Sequence, residues 1–154
     1  MRVLDIQTGE EKEIYRKEKS GQPKHVALSP DGKWIAFEDY TPPWTLNVIK
    51  ATGGEPRELL RMKPGEDPIS FDWAPNSREI FFTKWVKDKK INQLWRVSLE
   101  DGEPQRIELS MRGMRGLCVH PDGKRVTFSA SYRETEVWVM ENLLLLKKVE
   151  KIFK

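Results

Sequence analysis

The side chains able to do chemistry are few, and their spacing does not suit catalysis. The 154 residues include two histidines and one cysteine. His25 precedes a short apolar run, and His120 stands beside a Pro-Asp-Gly turn. Acid–base work needs such a group within hydrogen-bond reach of a second one, and a metal site needs several converging ligands. The two histidines hold different places in the repeat described below, which argues against a joint metal site. There is no Gly-x-Ser-x-Gly, no Cys-x-x-Cys, no His-Glu-x-x-His and no phosphate-binding glycine loop. Asp31 and Asp122 sit inside Pro-Asp-Gly and are expected to close turns. Asp72, beside Trp73, has two readings: a polar group facing a central channel, or an ordinary hydrogen-bonding carboxylate. Cys118 has no partner for an intramolecular disulfide and is expected to be a buried thiol in an apolar strand. These residues predict no enzyme, no metal and no cofactor.

Recognition is the better-supported chemistry. Tyr40 and Trp44 flank Thr41-Pro42-Pro43, Trp85 opens a second loop, and Tyr132 opens a third. The cations Lys84, Lys87, Lys89, Lys90, Arg112, Arg115 and Arg133 lie in the same or adjoining loops. Tyr, Trp and Arg are the residue types of interface hot spots, and aromatics also stack on sugars or nucleobases. The competing reading is that each loop packs on its own sheet. The turns at the opposite end carry Glu10, Glu55, Glu100, Asp101, Glu103 and Asp122. A basic end and an acidic end would steer an acidic protein or peptide to the basic one.

The elements that position these residues come from a repeat. Leu28-Ser29-Pro30-Asp31-Gly32-Lys33-Trp34-Ile35-Ala36-Phe37 recurs as Trp73 to Phe82 and again as Val119 to Phe128. Aligned on Pro30, Pro75 and Pro121, the apolar columns agree: Leu28, Trp73, Val119; Ile35, Ile80, Val126; Phe37, Phe82, Phe128. The period of about 45 residues falls in the range of solenoids and propellers. Each copy reads as a hairpin. Proline sets the first turn angle, Asp or Asn caps its own backbone, and Gly accepts the positive φ. Asn76-Ser77 replaces Asp-Gly in the middle copy, so that turn is expected to carry strain. A second marker keeps the same period: a strand, a glycine turn and Glu, at Gly9-Glu10, Gly54-Glu55 and Gly102-Glu103. Each repeat thus holds four strands, A to D, the composition of a β-propeller blade.

The predicted fold is all-β, with about three blades of four antiparallel strands. Residues 1–16 supply strands C and D of an incomplete blade. Residues 25–62 and 69–110 form two full blades, and 116–142 supply strands A to C of another. The tail, 143–154, has two readings. Leu145, Val149 and Ile152 have helical spacing, and an amphipathic helix is preferred. Alternatively, Glu150-Lys151-Ile152-Phe153-Lys154 resembles the D strand Lys12-Glu13-Ile14-Tyr15-Arg16.

Ser29-Pro30-Asp31-Gly32-Lys33, Ile35-Ala36-Phe37 and Gly53-Gly54-Glu55-Pro56-Arg57 resemble the WD-repeat-like propeller repeat of TolB-type proteins. The resemblance runs from Met1 to about Asn142. It implies a non-enzymatic scaffold that binds a protein or peptide. The family usually has six blades. A partial ring leaves apolar blade faces wet, so a homodimer is expected, two chains pairing head to tail to complete a six-bladed ring. Two other readings stand. The chain resembles the propeller lid of a prolyl-oligopeptidase-type serine peptidase without its hydrolase domain, or it is a fragment with no function of its own.

Composition agrees with a water-exposed β domain. Charged residues make up 33% and apolar ones 38%. A net charge of +3 is too small to argue for nucleic acid. No apolar run is long enough to span a membrane, so no membrane partner is expected. Met1-Arg2-Val3-Leu4-Asp5 lacks a signal-peptide profile. The compartment stays open: cytoplasmic as encoded, or periplasmic for a longer parent protein.

Overall fold

A computed structural model describes residues 1–17, 23–131, 137–141 and 148–152. Among them every ladder is antiparallel, and the helical content is a single 3-10 turn at Lys87–Lys89. β1 (Arg2–Leu4) pairs with β2 (Glu11–Glu13). β3 (Pro23–Leu28), β4 (Trp34–Asp39), β5 (Thr45–Lys50) and β6 (Arg57–Arg61) form one four-stranded sheet in chain order. β7 (Glu66–Trp73), β8 (Glu79–Val86), β9 (Ile91–Ser98) and β10 (Pro104–Met111) form a second. Two-stranded sheets follow: β11 (Arg115–Val119) with β12 (Val126–Ser129), and β13 (Val137–Glu141) with β14 (Lys148–Ile152).

The turns between first and second strands form as the repeat dictates. Ser29 N–H donates to Trp34 O, Ala74 N–H to Glu79 O, and His120 N–H to Arg125 O. Gly32 and Gly123 take φ of 71° and 67°. Ser77, at the equivalent place, takes φ 56°, a region an L side chain enters at a cost. The strain read from Asn76-Ser77 is present. Ser77 Oγ also accepts a hydrogen bond from Asp31 N–H at 3.0 Å, tying one repeat's turn to the next.

Alternation along β4 sends side chains to both faces, and both are buried. Ala36 on β4 packs with Leu46, Val48, Leu59 and Met62 against Trp73, Ile80, Phe82 and Val97 of the second sheet. Ile35, Phe37 and Ile49 pack on the other side against Ile14. The first sheet is therefore a filled layer between two neighbours, as blades are. Polar links accompany the packing. Trp73 Nε1–H donates to Ala27 O at 3.0 Å, and an Arg57 guanidinium N–H donates to Leu99 O at 2.7 Å. β7 neighbours both β3 and β11, so the first strands of successive repeats follow one another along one edge of the stack.

Three expectations need correction. The tail residues Lys148–Ile152 form a strand on β13, not an amphipathic helix. β-branched Val149 and Ile152 suit a strand, and a ladder satisfies backbone groups that a helix this short leaves open. β13 pairs with β14 and not with β12, so strands A to C of the last repeat do not form one sheet. Cys118 is exposed. Its strand neighbours Leu117 and Val119 are buried against the second sheet, and alternation turns Cys118 to the other side.

Candidate functional site

The loops joining β4 to β5, β6 to β7, β8 to β9 and β10 to β11 share one end of the molecule. Backbone contacts hold them there: Met62 N–H donates to Trp44 O, and Lys87 N–H to Gly65 O. Met114 N–H donates to Asn92 Oδ1 at 3.1 Å. Lys17 reaches the same end, with its ammonium 2.6 Å from an Asp39 carboxylate oxygen. The repeat pattern predicts that these loops share an end, and these contacts hold them there.

The candidates fall into two groups. The half-buried aromatics belong partly to the fold. Tyr40 and Trp44 lie with ring centroids 3.9 Å apart, and Trp44 packs against the core between the two four-stranded sheets. The Lys24 ammonium sits 4.9 Å from the Tyr40 centroid. Burial raises the Tyr40 phenol's pKa, and a hydrogen bond to Glu38 raises it further. Trp85 stands inside β8, opposite Asp67 and Asn92, and does not open a loop. Lys84 is nine-tenths buried: its ammonium lies 2.8 Å from a Glu66 carboxylate oxygen and 4.0 Å from the Trp95 centroid. It is withdrawn from the surface that the other lysines form.

Lys87, Lys89, Lys90, Arg112 and Arg115 are exposed. The 3-10 turn closes on Lys90 at φ 51°, which projects three lysines from a span of four residues. None of these five cations is ion-paired with a described residue. Tyr132 and Arg133 lie outside the described residues.

The acids have structural duties. Asp72 Oδ1 accepts from Trp73 N–H at 2.8 Å, and Oδ2 from Val119 N–H at 2.7 Å. It links β7 to β11, the ordinary of its two readings. Asp31 accepts from the Ser29 hydroxyl and Lys33 N–H, which hold its pKa below the usual value. Asp122 is lowered in the same way by Lys124 N–H, with help from Arg125. His120 lies beside Asp122 at 3.0 Å, at the turn end. No cluster of three or more His, Cys, Asp or Glu suited to a metal occurs among the described residues.

One pair escaped the sequence reading. His25 Nδ1 lies 2.5 Å from Glu38 Oε2, with Glu38 2% exposed. The available signal was an acid in β4, two residues beyond Ala36 and so on the same buried face.

No family model and no curated protein matches the chain. Solved structures do. Oligogalacturonate lyase from Vibrio parahaemolyticus superposes with a TM-score of 0.65 at 16% identity, over 96% of this chain and 41% of its own. TolB from Acinetobacter baumannii gives 0.60 at 18% identity, over 97% of this chain and 36% of its own. An acylaminoacyl peptidase from Pyrococcus horikoshii gives 0.61 at 16% identity, over 99% of this chain and 27% of its own. The chain thus spans less than half the length of each. At such identities the likeness speaks to fold alone, and it agrees with the stacked sheets, the proline turns and the neighbouring first strands. This chain has the TolB-like β-propeller fold.

Proposed function

We propose that the protein is a non-enzymatic β-propeller scaffold whose loop end binds an acidic protein or peptide. One observation carries this reading. Lys87, Lys89, Lys90, Arg112 and Arg115 are exposed at one end and have no ion-pair partner among the described residues, whereas Lys17 and Lys84 at that end are neutralised by Asp39 and Glu66. Unpaired exposed cations give a positive field that raises the on-rate of an acidic partner. The Tyr40 and Trp44 rings at the same end supply contact area of the kind hot spots use. The test is charge reversal at Lys87→Glu, Lys89→Glu and Lys90→Glu together, read by recovery of bound protein from extract. Recovery should fall at least tenfold, with a steep dependence on salt in the parent. Unchanged recovery overturns the reading.

The propeller part of a serine peptidase is the second reading, favoured by the superposition of 99% of this chain on an acylaminoacyl peptidase. In that case the partner on the loop end would be a hydrolase domain.

The reading includes self-association into a ring, about three blades from each of two chains. Its support is apolar exposure: Leu4 at the end of β1, Ile6 just after it, and Val26 and Leu28 on β3 are more than half exposed. A second chain's blades are the nearest surface of matching shape.

A further inference from the structure

His25 lies where the first strand of every repeat shifts register, and its backbone there is left-handed. Five places before each turn proline stand His25, Ser70 and Gly116, and eight places after stand Glu38, Thr83 and Ser129. In the second sheet this pair of positions is two hydroxyls 3.1 Å apart. In the last repeat it is a glycine and a serine. Only the first sheet places an ionisable pair there. His25 takes φ 43°, where the equivalent Gly116 takes φ 61° at no steric cost. A left-handed histidine on a strand persists only where its surroundings hold it. Glu38 does so. It is 2% exposed, and among the described residues no Lys or Arg lies within ion-pair distance of it.

The ring held in this way is open on its other side. The His25 side chain is 56% exposed, and no described residue bonds Nε2. Lys24 stands beside it with its ammonium over Tyr40, and Tyr40 lies against both the His25 and Trp44 rings. Among the described residues the titratable and charged groups about the ring are Lys24, Glu38 and Tyr40, with Asp39 engaged by Lys17. Nδ1 faces Glu38, so the Nε2 edge and the Lys24 ammonium are what the pair presents outward. When the ring carries both hydrogens, Nδ1–H donates to Glu38 and Nε2–H joins Lys24 as an outward donor.

We propose that His25 Nε2–H and Lys24 receive a side-chain carboxylate of an acidic peptide laid over the Tyr40 and Trp44 rings. The inference rests on the acidic-partner reading above and names the contact. Charge-assisted bonds from two donors, beside an aromatic floor, select a carboxylate over a neutral acceptor.

The probe is a hexaglutamate peptide titrated into protein carrying 13C-labelled histidine. With two histidines in the chain, His120 at the opposite end is the internal reference. The His25 ring signals should shift and saturate while those of His120 stay still. No shift at His25, or equal shifts at both rings, overturns the proposal, and this arm needs no variant. A second arm uses His25→Gly with Glu38→Ser, copying the pair the fold already carries at Gly116 and Ser129. That variant should fold and bind the peptide at least tenfold more weakly; unchanged affinity overturns the proposal. The reversed-lysine variant separates the two readings. Binding lost there but kept in His25→Gly/Glu38→Ser overturns this contact and spares the loop-end reading. The converse supports this contact and counts against the lysines.

Discussion

Ser77 shows what a single side chain contributes to this fold. It stands where the other two turns have glycine, and its backbone is left-handed. Its hydroxyl accepts the Asp31 N–H from the neighbouring repeat. Ser77→Gly removes a strain of about 1 kcal/mol and a hydrogen bond of about 1 kcal/mol. Stability should stay within about 0.5 kcal/mol of the parent by difference of those terms. Ser77→Ala keeps the strain and loses the bond, so it should be less stable by about 1 kcal/mol. Urea midpoints of the two variants check this, and the alanine variant should fall below the glycine one despite alanine's stiffer chain. The turn carboxylates set a pH dependence at the same scale. Asp31 and Asp122 are lowered in the folded state by hydrogen bonds. Burial opposes the charge of Asp39, yet Lys17 and Thr41 lower it on balance. A lowered folded pKa stabilises above the unfolded value and is lost as pH falls through the folded one. The urea midpoint should therefore hold from pH 8 to about 5 and decline towards about pH 3. Asp31→Asn should make that decline shallower.

At the scale of elements, strands are joined by more than their ladders. Asp72 on β7 accepts Val119 N–H on β11, and Ser70 Oγ accepts Leu117 N–H at 3.3 Å. Side chains of one sheet satisfy backbone donors on the inner strand of the next, where no ladder reaches them. Asp72→Ala should leave the Val119 amide without its acceptor. Its hydrogen exchange should quicken at least tenfold, while amides in β4 and β5 keep their protection. Equal loosening of both sheets would show that the link acts on global stability instead. The first and second sheets are held chiefly by burial. Ile80, fully buried between them, should cost about 2–5 kcal/mol when cut to alanine.

At the scale of the molecule, the question is what covers the outer surfaces. Ile6 is 92% exposed, and Leu4 and Leu28 are each 58% exposed. The proposed ring pairs two chains of 18.0 kDa. Light scattering should give twice that mass, and a stable, well-folded monomer would overturn the pairing. The loop-end reading does not depend on it, because its cations sit on loops and on the first residue of β11 within each chain.

The hairpins were legible in the residues because turns are local. Proline, Asp and Gly act within four positions, and Ile35, Phe37, Ile80 and Phe82 alternate over a single strand. The strain at Ser77 could be foreseen for the same reason, from its place in the glycine column. Distant contacts left no such mark. Lys84 looks in sequence like Lys87, and only the approach of β7 and β9 gives it Glu66 and Trp95. Cys118 sits in an apolar run, and its exposure follows from which face of β11 meets the second sheet. Glu38 and His25 are thirteen residues apart, and their meeting required both the β3–β4 register and the left-handed turn of one residue. Local chain stiffness is written in neighbouring residues, but the burial of a charge depends on which surfaces packing brings against it.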